Sequence, residues 1–375
     1  MKNLRSLSLL IKPASSLCNI RCRYCFYADE AERRTQRSTG MMTGETARKL
    51  IDAAFAAVQP GGGVTFAFQG GEPTLAGLPF FERFISYANE ANKKRLRLSW
   101  AIQTNGLLLD GEWADFLRGH CFLTGISLDG TKAAHDAFRL DAEGRGTYDR
   151  AAAAAKTLKN SGADVNLLCV VNGQTAAHPR RTYQTLKALG IRYLQFIPCL
   201  DPLDRPEFHA DWSLAPQALG HFLCGAFDLW YQDWARGAYI SVRQFEDWVR
   251  MAAGLTPDMC ASCGACGGYL AVEADGSLYP CDFYALDEWR LGSVEEGLLS
   301  PLSSPRMEAF RSHGAAKPAA CLSCRFFYLC RGGCPRNWRE RDGRMANEFC
   351  GAFQTFFTYA EKRLRTMAET LCRQG

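Results

Sequence analysis

Residues 18–25 read Cys18-Asn19-Ile20-Arg21-Cys22-Arg23-Tyr24-Cys25, three cysteines in C-x3-C-x2-C spacing on one short loop. Cysteine thiolates are the usual ligands of iron–sulfur clusters, and a four-iron cluster normally takes four of them. This loop supplies three, and the next cysteine along the chain is Cys121. A cluster held in this way keeps one iron open to a further ligand. A zinc knuckle would want four ligands in paired spacing, usually including His, and no His lies near the loop.

The flanking pattern sets the fold class. A buried strand is expected at 6–12, just before the loop, and further strands at 64–68, 98–103, 123–128, 164–171 and 192–198. Helices are expected between them, at 43–58, 77–95, 110–118, 147–161 and 175–189, with Thr43 capping the first and Gln59-Pro60-Gly61-Gly62-Gly63 ending it. Such β–α repeats predict an α/β fold, a parallel sheet with helices outside, curled into a partial (β/α)6 barrel. Periodicity alone does not separate this from a flat doubly wound sheet. The unusual residues fall at strand ends: Gln69-Gly70-Gly71-Glu72-Pro73-Thr74, Gln103-Thr104-Asn105-Gly106, Ser127-Leu128-Asp129-Gly130, and Leu200-Asp201-Pro202. In a β/α barrel these ends share one face, which carries the chemistry. Gly70-Gly71 alone would read as a common tight turn, and Asn105, Ser127 and Arg139 as turn or surface groups. Their convergence on the cysteine loop makes them candidates for one site. Asp129 and His135 are expected to satisfy loop backbone groups.

From 213 to 254 the chain reads as helical and aromatic, expected to pack between the barrel and the C-terminal region. The C-terminal third then holds Cys260, Cys263, Cys266, Cys281, Cys321, Cys324, Cys330, Cys334 and Cys350, with a hairpin expected at 269–273 and 277–281 about Asp275-Gly276. His is absent from these groups, and they hold more thiols than one zinc ribbon needs. Eight of them would complete two four-iron clusters.

Composition narrows the class further. The 375 residues suggest one large domain and a smaller one. The net charge of +5 is spread along the chain without a basic block, which argues against nucleic acid and leaves room for an acidic or flexible peptide partner. No apolar run is long enough for a membrane span, and the first residues lack a signal-peptide pattern. The 17 cysteines raise the prospect of a secreted disulfide scaffold. Their tight clustering, and a chain long enough to bury a core, favour metal ligation in a reducing, anaerobic cytoplasm.

With both cysteine groups in view, the chain resembles the anaerobic sulfatase-maturating enzymes, radical S-adenosylmethionine proteins with a C-terminal SPASM domain. The resemblance runs from Leu9 to Cys350. It rests on Cys18, Cys22 and Cys25 with Tyr24 before the last, on 66–74 (Phe-Ala-Phe-Gln-Gly-Gly-Glu-Pro-Thr), on 193–197 (Tyr-Leu-Gln-Phe-Ile), on Tyr279-Pro280-Cys281-Asp282, and on the crowded final cysteines. It implies a radical domain over 1–240 and a loop-rich cluster domain over 241–375 with a C-terminal helix. It also implies three [4Fe-4S] clusters and bound S-adenosyl-L-methionine. Cys18, Cys22 and Cys25 would hold the first cluster. Cys260, Cys266, Cys281 and Cys334 would hold the second, with Cys263 an additional cysteine between two ligands. Cys321, Cys324, Cys330 and Cys350 would hold the third. Tyr24, Gln69, Gly70, Gly71, Glu72, Asn105, Ser127, Arg139 and Leu200 would meet the cofactor.

The activity so implied is oxidation of a Cys or Ser in an unfolded sulfatase polypeptide to Cα-formylglycine, begun by a 5′-deoxyadenosyl radical. Asp282 is the implied base. An electron donor such as flavodoxin or ferredoxin, a monomeric state and a cytoplasmic location complete the expectation. A SPASM maturase that builds cross-links or thioethers in a ribosomal peptide is the alternative. A non-catalytic electron carrier would have a fourth ligand on the first cluster and no Gln-Gly-Gly-Glu loop.

Overall fold

The computed structural model describes residues 3–203 and 210–374. Two compact units form, and neither is a continuous stretch of chain. The first comprises Met1–Ser127, Leu140–Val165 and Gly267–Arg311; the second comprises Leu128–Arg139, Asn166–Cys266 and Ser312–Gly375.

All six expected strands are present: β1 (Leu4–Ile11), β2 (Val58–Phe68), β3 (Arg97–Thr104), β4 (Leu123–Ser127), β5 (Asp164–Val171) and β6 (Tyr193–Pro198). They are followed by β7 (Ser241–Val242), β8 (Leu270–Val272), β9 (Ser277–Tyr279) and β10 (Gly292–Ser293). In the first unit the strands lie in the order β10-β9-β8-β1-β2-β3-β4. From β8 to β4 every pairing is parallel, while β8-β9 and β9-β10 are antiparallel. In the second unit β5, β6 and β7 pair in parallel.

β2 starts six residues earlier than the glycine run suggested. Gly62 allows it, because a Cβ there would sit 2.7 Å from the carbonyl oxygen of Arg5. The first unit's core is aromatic. Phe66 stacks on Trp100 at 5.2 Å, and Phe68 meets Phe81 and Phe84 edge-on at 4.9 and 5.2 Å. Phe66, Phe68, Phe81 and Phe84 are buried, each stabilising the fold by about 1.5–3 kcal/mol.

Helices α1 (Gly44–Ala57), α2 (Leu78–Ala91), α3 (Gly111–Gly119) and α4 (Tyr148–Ser161) match the expected periodicity closely. Thr43 caps α1 as expected, its hydroxyl accepting from Thr46 N at 3.0 Å. The helix expected over 175–189 is instead two pieces, Gly173–Ala176 and α5 (Pro179–Ala188). Pro179 cannot donate within a helix and so begins a new one. The long helical reading of 213–254 is likewise corrected: α6 (Pro216–Ala235) ends, β7 intervenes, and α7 (Arg243–Ala252) follows. The aromatics of α6 and α7 pack on the last helix, α8 (Cys350–Gln374), with Phe227 and Trp248 meeting Phe356 at 5.4 and 4.6 Å. Among the described residues no helix is long and apolar enough to cross a membrane.

The hairpin about Asp275-Gly276 does more than its sequence announced. β8 pairs in parallel with β1, Leu9 opposite Leu270 and Ile11 opposite Val272. A segment some 260 residues downstream thereby becomes the strand beside the one that delivers the cysteine loop.

Candidate active site

Within the first unit, the C-terminal ends of β1 to β4 bring the predicted residues to one edge of the sheet. The loop of Cys18, Cys22 and Cys25 follows β1, Gln69 follows β2, Asn105 follows β3, and Ser127 ends β4. Gly71 has φ +49°, and a Cβ on it would lie 2.2 Å from the carbonyl oxygen of Leu17. The glycine loop is therefore pressed against the start of the cysteine loop, and Glu72 N donates to Leu17 O at 2.8 Å. Asn105 Nδ2 donates to Asn19 Oδ1 at 2.7 Å and stands 3.9 Å from Cys18 Sγ. Burial pushes the Cys18 thiol up to about 11, and Glu72 adds to the rise. Gln103 Nε2 donates to Ser127 Oγ at 3.1 Å. Tyr24 is buried.

Glu72, expected at the cofactor's amino group, is a brace in this structure. Its Oε1 accepts from Thr74 N, Thr74 Oγ1 and Thr104 Oγ1 at 3.1, 2.6 and 2.7 Å, and its Oε2 from Asn105 N at 2.8 Å. Burial raises its pKa against the lowering effect of these donors. The carboxylate thus ties the glycine loop to the end of β3.

Asp282 is 5% exposed, on the turn after β9. Tyr269 OH donates to its Oδ1, and Gln69 Nε2 approaches its Oδ2 at 3.5 Å. Phe283 meets Phe26 edge-on at 4.7 Å, which fixes this turn to the helix Phe26–Arg33 just after the cysteine loop. Nearby, Glu273 gathers a buried group: it accepts from Tyr27 OH, from Arg34 Nη1 at 2.8 Å and from Ser15 Oγ at 2.9 Å. Lys12 Nζ lies 3.6 Å above the Tyr27 ring. Sequence reading missed Tyr269, Glu273, Arg34 and Lys12. The pairing of β1 with β8 unites Ser15 with Glu273, 258 residues further on, and no local pattern signals that.

In the second unit Arg139, expected at the cofactor carboxylate, forms a two-pronged pair with Asp129, Nε to Oδ2 at 2.8 Å and Nη2 to Oδ1 at 3.1 Å. Asp129 also accepts from Val170 N at 2.8 Å, and its own N–H donates to His135 Nδ1 at 3.2 Å. Burial pushes His135 down to about 4, keeping the ring neutral and able to accept. These two residues hold the loop as expected. Leu200 is half-buried after β6.

The donor set suits iron–sulfur clusters. Cys330 is pushed up to about 12, chiefly by burial and further by Cys321, Cys350 and Cys324. Cys321 is raised in turn by burial and by Cys350 and Cys324. Like charges act on one another only when close, so these four cysteines share one locality. Lys317 is drawn down by burial against the opposing pull of Cys266, Cys321, Cys334 and Cys330. An apolar cavity of about 100 Å³ reaches Cys330 and Cys334. Among the described residues no three such groups converge as tightly as one metal ion requires; a four-iron cube sets its thiolates farther apart.

The fold and this site define a radical S-adenosylmethionine enzyme with an added cluster-binding domain. The Radical SAM superfamily model matches residues 13–186, and the SPASM iron-sulfur cluster-binding domain matches 249–325. The cysteine-type anaerobic sulfatase-maturating enzyme of Clostridium novyi is 40% identical over 98% of this chain and 99% of its own. The serine-type enzyme of Klebsiella aerogenes is 30% identical over 97% of this chain and 87% of its own. The solved structure of native anSMEcpe with bound AdoMet and Cp18Cys peptide superposes with a TM-score of 0.91 at 38% identity, covering 98% of this chain and 99% of that one. The chain belongs to the anaerobic sulfatase-maturating enzymes. It is accordingly an enzyme that uses [4Fe-4S] clusters and S-adenosylmethionine, and the cross-linking alternative is not favoured.

Proposed function

We propose that this enzyme converts a cysteine of an unfolded sulfatase polypeptide to Cα-formylglycine, with Asp282 as the base. The observation that carries the reading is the buried Asp282 carboxylate, held on Oδ1 by Tyr269 while Oδ2 faces the Gln69 amide. The greater identity to a cysteine-type enzyme than to a serine-type one supports cysteine as the target.

Cys18, Cys22 and Cys25 would hold the radical-generating cluster in a domain spanning 1–240. Cys260, Cys266, Cys281 and Cys334, and Cys321, Cys324, Cys330 and Cys350, would hold two auxiliary clusters in 241–375. When bound, these groups supply removal of a hydrogen atom from the substrate β-carbon and a sink for the second electron. The remaining work belongs to the chain. Tyr24, Gly70, Gly71, Asn105, Ser127, Arg139 and Leu200 enclose the cofactor, with Glu72 stiffening the loop that carries it. Gln69 orients the target side chain. Asp282 Oδ2 accepts the thiol proton as the second electron leaves, which gives a thioaldehyde, and water hydrolyses that to the aldehyde with release of the sulfur as hydrogen sulfide. An ordinary cysteine thiol, with a pKa near ~8.5, is mostly protonated at neutral pH, so a base is required. The enzyme works as a monomer in the cytoplasm with flavodoxin or ferredoxin as electron donor, and takes no nucleic acid partner.

Mass spectrometry of a cysteine-type and a serine-type sulfatase peptide, after anaerobic incubation with S-adenosylmethionine and a reductant, tests this. The aldehyde should form faster on the cysteine peptide. Loss of two hydrogens without an aldehyde would point to cross-linking instead.

A further inference from the structure

The register of the β8-β9 hairpin bears directly on Asp282. β8 and β9 pair with Ala271 opposite Tyr279 and Val272 opposite Leu278. Extended by one step on the same face, that register sets Tyr269 opposite Cys281. The side chains meet there: Tyr269 Oη lies 3.2 Å from Cys281 Sγ. The same hydroxyl accepts from Asp282 N at 3.4 Å and donates to Asp282 Oδ1. One phenol oxygen thus touches the backbone and carboxylate of Asp282 and the sulfur of its neighbour.

These contacts constrain one another. The Asp282 N–H approaches the phenol oxygen from the lone-pair side, which turns the O–H toward its acceptors. A phenol has a single proton to give. Asp282 Oδ1 and Cys281 Sγ both lie within its reach, so the proton is shared between them as a three-centre bond and Oδ2 is left toward Gln69. A ligating thiolate has lost its own proton, which leaves Tyr269 as a group within reach of both Cys281 Sγ and Asp282 that can donate to either.

Resting on the assignment of Asp282 as base and Cys281 as a cluster ligand, we propose that Tyr269 is a positioning residue that locks Asp282 Oδ1 to Cys281, so that Oδ2 alone receives the substrate proton and the base stays coupled to the cluster that takes the electron. Tyr269 touches neither substrate nor reacting atoms; it acts through the carboxylate and the sulfur. Hydrogen bonds to cluster sulfurs help to set reduction potential, which provides a reading independent of turnover.

The experiment uses reconstituted holoenzyme. Tyr269→Phe removes the hydroxyl and keeps the ring. It should retain iron content and cofactor cleavage, leave the peptide KM unchanged, and lower formylglycine formation roughly ten- to hundredfold, the range expected for losing a hydrogen bond to a charged group. The midpoint potential of one auxiliary cluster, followed by EPR during a redox titration, should fall. In an Asp282→Asn background Tyr269→Phe should cost little more, since both act through one carboxylate. Wild-type product formation with an unshifted potential in Tyr269→Phe overturns the proposal. If that variant loses iron, 2,3-difluorotyrosine at position 269 decides: it keeps shape and hydroxyl but donates more strongly, and an unchanged auxiliary potential overturns the proposal. Asp282→Asn run alongside separates the failures. Full activity there removes the base assignment, whereas an inactive Asp282→Asn beside an active Tyr269→Phe removes only the role of Tyr269.

Discussion

Two buried carboxylates in the first unit have opposite fates. Glu72 is 1% exposed and Asp282 is 5% exposed, so burial does not distinguish them. Their donors do. Both oxygens of Glu72 are engaged by Thr74, Thr104 and Asn105 from two adjoining loops. Asp282 has Oδ1 held by Tyr269, while Oδ2 faces an amide at the edge of hydrogen-bonding distance, 3.5 Å. A saturated carboxylate stiffens what it touches. One with an oxygen to spare can take a proton. The contrast gives Glu72 the contacts of a brace and leaves Asp282 with an oxygen toward the Gln69 amide, in keeping with the base role proposed for it, although the sequence places the former in the more familiar motif.

The largest test of that contrast is Asp282→Asn. It keeps the size and most hydrogen bonds but cannot act as the base. Formylglycine formation should fall ~10²–10⁴-fold while cofactor cleavage continues, as seen by quantifying 5′-deoxyadenosine and aldehyde in one reaction. Equal loss of both products would erase the distinction, because Asp282 would then serve the cofactor as well.

Glu72→Gln should behave in the reverse way. Its amide cannot accept all the bonds made to the carboxylate, so denaturant unfolding at neutral pH should show a loss of about 1–3 kcal/mol. The aldehyde-to-deoxyadenosine ratio should stay near wild type. The pH dependence sharpens the case. Burial raises the Glu72 pKa, so around that value the folded chain binds a proton that the unfolded chain has released. The contribution is fully present below the ordinary glutamate value of 4.5 and is lost as pH rises through the folded value. Glu72→Gln should remove that fall in stability, and a variant with the wild-type slope would show that the group does not titrate there.

Gln69→Leu should have the smallest effect. Removing a weak partner of Asp282 Oδ2 should lower product formation by no more than roughly tenfold, with stability unchanged. A loss as deep as that of Asp282→Asn would make Gln69 part of the proton-transfer chemistry itself.

Much of this was legible in the residues. The six main strands follow from short apolar runs between glycine-bearing turns, and α1 to α4 from apolar residues at helical spacing, because the exposure of each side chain repeats with the geometry of the backbone. The helix over 175–189 and the long one over 213–254 were overestimated, since periodicity continued through Pro179 and through the break at β7. Arg139 carried a plausible donor fork, yet its partner, Asp129, lies ten residues away and no spacing rule proposed the pair.

The sequence by itself determined the chemistry this protein can host. Cys18, Cys22 and Cys25 stand within eight residues, the Gly70-Gly71 turn sits directly after a strand, and the cysteines of the last third are crowded beyond any single metal's need. Ligand spacing on a short loop is local geometry, and local geometry is written in adjacent residues. Only the tertiary structure decided which carboxylate is a brace and which has an oxygen to offer. That depends on β8 lying beside β1, so that Tyr269, Glu273 and Asp282 from one end of the chain meet Ser15, Tyr27 and Gln69 from the other. A carboxylate's role is set by the donors around it, and here those donors come from segments more than two hundred residues apart, held together by strand pairing and a buried aromatic core.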